Sequence, residues 1–177
     1  VADAGPQGAG LAAAETADAF ERDLERGRHD APDLRVDVAG DGFVYVCDRP
    51  NDRVQIFTRE GKFVKEVFVA KETRADGSVW DIAFSKDAAQ KYIYMADGVN
   101  EHVRIFDRKS MTELTNFGYG GRQPGMFLGV HSIATDSKGN IYTTETYTGK
   151  RLQKFVFKGE GPITSKKQGV PWPKTGN

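Results

Sequence analysis

The 177-residue sequence predicts an all-β fold of about three four-stranded sheet units, with an N-terminal helical segment ahead of them. Three observations predict it. A tyrosine-to-phenylalanine motif recurs three times at a nearly constant interval. Short runs of aromatic and β-branched residues alternate with polar turn residues. Twenty glycines and seven prolines supply punctuation for those turns, and 11% of residues are aromatic.

The first motif is Tyr45-Val-Cys-Asp48 followed by Asn51-Asp-Arg53-Val-Gln-Ile-Phe57. The second is Tyr94-Met-Ala-Asp97 followed by Asn100-Glu-His102-Val-Arg-Ile-Phe106. The third is Tyr142-Thr-Thr-Glu145 followed by Lys150-Arg151-Leu-Gln-Lys-Phe155. The tyrosines stand 49 and 48 residues apart, and the tyrosine-to-phenylalanine gaps are 12, 12 and 13. A period near 50 built from sheet-like units fits the blades of a propeller.

Each unit opens with a strand: 33–38, 79–84 and 130–135. A polar turn follows, three residues longer in the middle unit, so Leu34 and His131 precede their tyrosines by 11 residues and Trp80 by 14. The second strand of the first unit, around Phe43 to Cys47, is apolar on both faces and predicts burial on both sides. Asp48 to Asn51 reads as a turn, Val54 and Ile56 as the third strand, and Glu60-Gly-Lys62 as a hairpin. Phe63 to Val69 is then an outer strand, with Lys65 and Glu66 suited to an exposed edge. Met111 to Phe117 is the corresponding strand of the second unit, and Pro162 to Lys167 the expected one of the third.

The stretch Gly125-Met-Phe-Leu-Gly-Val-His131-Ser-Ile-Ala-Thr-Asp136-Ser-Lys-Gly139-Asn140-Ile-Tyr142, with Arg151-Leu-Gln-Lys-Phe155, resembles the signature of NHL-repeat β-propellers. Val130, Ser132 and Glu145 depart from its usual Pro, Gly and Asp. The resemblance covers roughly residues 33 to 158 and implies a partial NHL-type propeller of about three blades. It divides the chain into an N-terminal helical or flexible segment (1–30), propeller blades (31–168) and an irregular tail (169–177). Such propellers usually close with six blades. Two copies, a partner chain, or the rest of a longer protein are thus expected to cover the open blade faces.

Leu11 to Arg26 is the helix expectation, because Ala13, Ala17, Phe20 and Leu24 recur at 4-3-4 spacing and form one thin apolar face. This segment reads either as a cap over an open blade face or as a poorly ordered leader. The tail, with Trp172 between two prolines, reads as irregular.

Charge narrows the function classes. Twenty-five Lys and Arg balance 25 Asp and Glu, which argues against a general nucleic-acid binder. No run of about 18 apolar residues predicts a membrane span. The first 30 residues carry no basic-then-apolar leader, so no signal peptide is expected to remain. The single cysteine excludes an internal disulfide and a multi-cysteine metal site. Export to a periplasm or the cell exterior is favoured only by the family resemblance.

The ligand-binding candidates are His131, Trp80, Tyr119, Arg122 and Tyr147, placed on the inner strands or the connecting loops. The resemblance extends distantly to peptidyl-α-hydroxyglycine amidating lyases, whose propellers hold zinc through inner-strand histidines. Only His131 matches such a position here, while Trp80 and Leu34 occupy the equivalents. A catalytic zinc needs about three protein ligands. His131 therefore reads as a channel-lining structural histidine, His102 as a solvent or blade-edge residue, and His29 as part of the leader. Asp48, Asp97 and Glu145 read as turn-capping acids rather than a cation-binding ring. Arg49, Arg53, Arg104 and Arg151 are expected to pair with them between blades. Cys47 reads as a buried small hydrophobe.

The expectation for function is a non-enzymatic binding or interaction scaffold working through blade loops. Its partner would be a protein, peptide or small polar ligand at a channel mouth. No catalytic residue or cofactor is expected. The alternative is a zinc- or calcium-dependent lyase or hydrolase completed by missing blades or a second subunit.

Overall fold

The computed structural model describes residues 34–162, and the expected helix at 11–26 and the tail at 169–177 lie outside them. Eleven strands form three antiparallel sheets among the described residues. The first holds β1 (Leu34–Val38), β2 (Val44–Asp48), β3 (Arg53–Phe57) and β4 (Phe63–Phe68) in that order. The second repeats it with β5 (Asp81–Phe84), β6 (Tyr92–Asp97), β7 (His102–Asp107) and β8 (Thr112–Phe117). The third holds β9 (Val130–Thr135), β10 (Ile141–Glu145) and β11 (Leu152–Phe155).

The same local chemistry makes the same hairpin several times. At Ala39–Phe43, Thr58–Lys62 and Asp136–Asn140, the first residue's N–H donates to the last residue's carbonyl. A glycine sits fourth in each loop at positive φ: Gly42 at 92°, Gly61 at 82° and Gly139 at 79°. That left-handed step lets so short a loop return the chain at little steric cost. In the second sheet three extra residues replace this device. Asp87 holds them instead, accepting from the Ala89 and Lys91 amides.

Burial divides the sheets unequally. Strand β6 is buried from Ile93 to Asp97, on both faces. Ile82, Phe84, Ile93 and Met95 pack on Tyr45, Cys47, Val54 and Ile56 of the first sheet. Tyr94, Ala96 and Val103 pack on Val130, Ile133 and Ile141 of the third. The second sheet is thus the filling between two others, in the manner of a stacked repeat. The expectation of two-sided burial for the strand at Tyr45 is corrected. Tyr45 and Cys47 are buried, whereas Val44 and Val46 are only half-buried, because among the described residues nothing stacks on their side.

The third sheet also corrects an expectation. Pro162 is not in a strand, and 163–167 lie outside the described residues, so this sheet has three strands among them. Its outgoing chain turns aside after β11, where the Phe157 N–H donates to the Asn140 Oδ1. The first strands of the sheets are neighbours in space, β1 against β5 and β5 against β9, so the three units radiate from a shared inner edge.

Candidate functional site

The inner edge gathers an aromatic and cationic cluster around Trp80. Its indole ring meets His131 edge to face at a centroid distance of 5.4 Å. Tyr147 approaches at 6.3 Å, also edge to face. The Arg49 guanidinium lies 4.5 Å from the ring centroid. Four segments far apart in sequence therefore converge: the turn after β2, the lead into β5, the start of β9 and the loop after β10.

Trp80 is the floor of this cluster. It is 4% exposed, and its Nε1–H donates to the Gly77 carbonyl at 2.7 Å. Gly98 leaves the space the ring needs: a Cβ there would lie 2.5 Å from indole carbons. Tyr147, by contrast, is 63% exposed. Its hydroxyl donates to Asp76 Oδ2 at 3.0 Å, tying the third sheet's loop to the loop ahead of the second sheet. Its backbone sits at φ 49°, a region bulky residues seldom adopt, so cross-loop contacts must hold it. His131 is half-buried, with Nδ1 3.1 Å from the Ser132 Oγ.

Asp81 sits one residue after the indole. It accepts from the Ile133 amide of the third sheet and from the Ile82 amide, both at 3.0 Å. Burial pushes its pKa above 3.8, and the Ile133 amide, Arg35, the Ile82 amide and His131 pull it back. The inner edge thus gathers a buried indole, an exposed tyrosine ring, a guanidinium, an imidazole and a carboxylate. That set can bind a ligand through stacking, charge and hydrogen bonds.

Tyr119 and Arg122 belong elsewhere. Their glycine-rich loop is a connection between the second and third sheets, stitched by Phe127 N–H donating to the Tyr119 carbonyl. Arg151 donates to the carbonyls of Arg122 and Met126, fastening that loop to the third sheet. Among the described residues no ring contact or side-chain hydrogen bond joins Tyr119 or the Arg122 guanidinium to the Trp80 cluster. Tyr119 remains 46% exposed.

Of the three acids only Asp97 caps its own turn amide, accepting from the Asn100 N–H; among the described residues Asp48 makes no such bond, and Glu145 reaches an amide of another loop. Asp48 accepts from Asn51 Nδ2 and Asp97 from Asn100 Nδ2, while Glu145 accepts from the Leu128 amide. Their arginines, however, reach them within a sheet rather than between sheets: Arg53 to Asp48, Arg104 to Asp97 and Arg151 to Glu145. Arg53 and Arg104 sit on strands antiparallel to those of their acids, and Arg151 stands just ahead of β11 beside the strand of Glu145. The Arg49 guanidinium also lies over the Trp80 ring. His102 donates its Nδ1–H to the Gly118 carbonyl at 2.8 Å and is half-buried rather than solvent-facing. His29 lies outside the described residues. Cys47 is fully buried, and burial pushes its thiol pKa up, which leaves it unreactive. Asp76 was not visible as a partner in the sequence; its only signal was an acid in a long inter-sheet loop. Among the described residues no group of three or more His, Cys, Asp and Glu side chains could hold a metal ion.

No family model and no curated protein matches the chain. Solved structures do. Hydrazine synthase from Kuenenia stuttgartiensis is 15% identical, with a TM-score of 0.50 over 68% of this chain and 32% of that one. A Bacteroides caccae protein of unknown function is 13% identical, with a TM-score of 0.51 over 66% and 39%. Virginiamycin B lyase from Staphylococcus aureus is 15% identical, with a TM-score of 0.47 over 70% and 41%. The three sheets resemble the blades of a β-propeller. The chain spans between about a third and two fifths of these structures' own lengths, and at such identities the likeness concerns the fold alone. No helix among the described residues is long and apolar enough to cross a membrane.

Proposed function

We propose that this propeller-like chain is an NHL-type, non-enzymatic binding scaffold that takes a protein, peptide or small polar ligand at the mouth marked by Trp80. The convergence of Arg49, His131 and Tyr147 on one buried indole carries this reading. A fixed floor with an exposed tyrosine and two nitrogen-bearing side chains at its rim suits acceptor-rich ligands such as peptide backbones and carboxylates. The NHL assignment rests on the threefold motif and its shared hairpins.

A displayed peptide library, panned on the intact chain and re-tested on Tyr147→Ala and His131→Ala, tests the proposal. Enriched peptides should lose at least about tenfold in affinity on one or both variants, roughly 1.4 kcal/mol. Peptides that bind both variants as well as the parent would refute this site. The zinc- or calcium-dependent lyase reading needs ligands beyond His131. Stoichiometric metal that is lost in His131→Ala would favour it over the scaffold.

A further inference from the structure

A cavity of about 570 Å³ opens between the second and third sheets and shares no lining residue with the Trp80 cluster. Tyr94, Ile105 and Phe117 line it from the second sheet, Ile141 and Phe155 from the third, and residues 156–162 run along it. The repeat explains why space is left here. Arg108 stands two residues after the motif phenylalanine of the second sheet. Its Nη1 donates to the Tyr45 hydroxyl at 3.4 Å and to Asp41 at 2.6 Å, tying the first two sheets together. Phe157 holds the matching place in the third sheet. Its backbone N–H goes to Asn140, its ring is half exposed, and a phenylalanine side chain has no donor to send across.

The motif tyrosines carry the consequence. Across the strands Tyr45 pairs with Ile56, Tyr94 with Ile105 and Tyr142 with Lys154, so the three are equivalent. Tyr45 has the Arg108 guanidinium, and the Tyr142 hydroxyl donates to Asp136 at 3.0 Å. Tyr94 is 8% exposed and lines the cavity, and its hydroxyl has no hydrogen-bond partner among the described residues. A hydroxyl withdrawn from bulk water without a partner is costly, so a cavity that presents one favours a guest that completes it.

We propose that this cavity binds a neutral, ring-bearing small molecule whose carbonyl or ether oxygen accepts from the Tyr94 hydroxyl. Rings suit its walls, where Phe117 and Phe155 meet at a centroid distance of 4.9 Å. The volume is that of an ordinary ligand pocket. A Cβ built at Gly159 or Gly161 would meet nothing within 4 Å, so the run along the cavity is not packed shut. Charge decides the class. Glu160 lines the cavity, and Lys91 Nζ pairs with it at 3.4 Å while lying 4.7 Å from the Tyr92 ring centroid. A cationic guest would have to displace that lysine. Burial, then Tyr92, Asp87 and Glu160, push the Tyr94 pKa above its ordinary 10.0, so the hydroxyl keeps its proton. The same two acids would repel an anion placed on it. Lys158, the cation on the cavity wall, is exposed, and water screens it. A neutral acceptor meets none of these costs.

The test titrates prodan, a neutral naphthyl ketone whose emission moves to the blue in dry surroundings, into the full 177-residue chain. Saturable binding with blue-shifted emission is expected. Tyr94→Phe removes only the hydroxyl and should weaken binding at least about threefold. Thr115→Trp, which fills the cavity from β8, should abolish it. The neutral 2-acetylnaphthalene should displace bound prodan, and the similarly shaped anion 2-naphthoate should not. No saturable binding, parental affinity in Tyr94→Phe or in a folded Thr115→Trp, or equal displacement by naphthoate would each overturn the proposal. Circular dichroism checks both folds; if Thr115→Trp does not fold, Tyr94→Phe and the competing pair decide. The readout uses no residue of the Trp80 cluster, so failure here leaves the binding-scaffold reading untouched.

Discussion

Arg104 Nε lies 2.7 Å from Asp97, although the residue paired with Asp97 across the strands is His102. In the first sheet the paired position holds Arg53, which bonds Asp48 directly. In the second sheet the arginine stands two residues further along, on the same face of the strand, and reaches back to the equivalent acid. It also bonds Glu113 on β8. The ion pair has been kept while its sequence position moved.

Arg104→Ala should therefore be costly. The Asp97 side chain is fully buried, and without Arg104 its charge keeps only Asn100. Loss of one partner of a buried pair typically costs about 3–5 kcal/mol, which urea denaturation would read as a lower midpoint. Arg53→Ala should cost less, since Asp48 retains 10% side-chain exposure and water can reach it. Equal losses in the two variants would contradict this account.

The pH dependence of the Asp97 effect has a definite sign. Burial raises its pKa above 3.8, partly offset by Arg104 and Asn100. For a raised folded pKa, the folded state holds the proton more tightly, so stability falls as pH climbs from 3.8 through the folded value. The Arg104→Ala penalty should then shrink as the medium is acidified toward 3.8, and a penalty that is flat with pH would disprove the assignment.

Asp136 behaves oppositely. The Asn140 side chain, with burial opposing, then the Asn140 amide, the Tyr142 hydroxyl and the Lys138 amide bring its pKa down to about 2. A depressed folded pKa adds stability above 3.8, lost as pH drops toward 2. Carbon NMR titration should place the Asp136 midpoint well below 3.8, and Asp136→Asn should flatten the acid limb of the stability curve in that window. A midpoint near 3.8 would show that the hairpin hydrogen bonds do not act on this group.

Gly98→Ala probes the floor of the mouth. The added methyl would meet the Trp80 indole at 2.5 Å, well inside van der Waals contact. Overpacking of this kind costs about 1–3 kcal/mol. The indole N–H resonance of Trp80 should shift with it, because the ring must tilt away from the Gly77 carbonyl. An unchanged resonance and melting point would mean that the ring has room to spare.

Lys154→Ile places on the third sheet the isoleucine that the first sheet buries and the second half-buries. Light scattering should report new self-association of this variant at concentrations where the parent scatters as a single species. Identical scattering would deny that Lys154 keeps the outward face apart from other chains.

The repeat was legible because a strand's chemistry is local. Alternating apolar residues, glycine at the left-handed loop position and an acid before each turn announce a hairpin without knowledge of distant residues, so β2, β3, β6, β7 and β10 appeared close to where they were expected. His131 and Trp80, marked as equivalents by counting back from their tyrosines, do meet at the inner edge. The Tyr119 loop was expected among the connecting segments, but glycine content reports backbone freedom and not direction. Only the folded chain reveals that Arg151 and Gln153 fasten it to the third sheet.

The amino-acid order by itself fixed the unit: the hairpin turns, the strand faces and the acid-arginine chemistry, all of which act over a few residues. Tertiary structure alone decided which faces meet. It put Asp76 under the Tyr147 hydroxyl 71 residues away, and it left Val36 and Val38 outward while Ile82 and Phe84, at matching strand positions, went into the core. Burial depends on the neighbour stacked alongside, and a strand's own residues do not encode whether that neighbour is there.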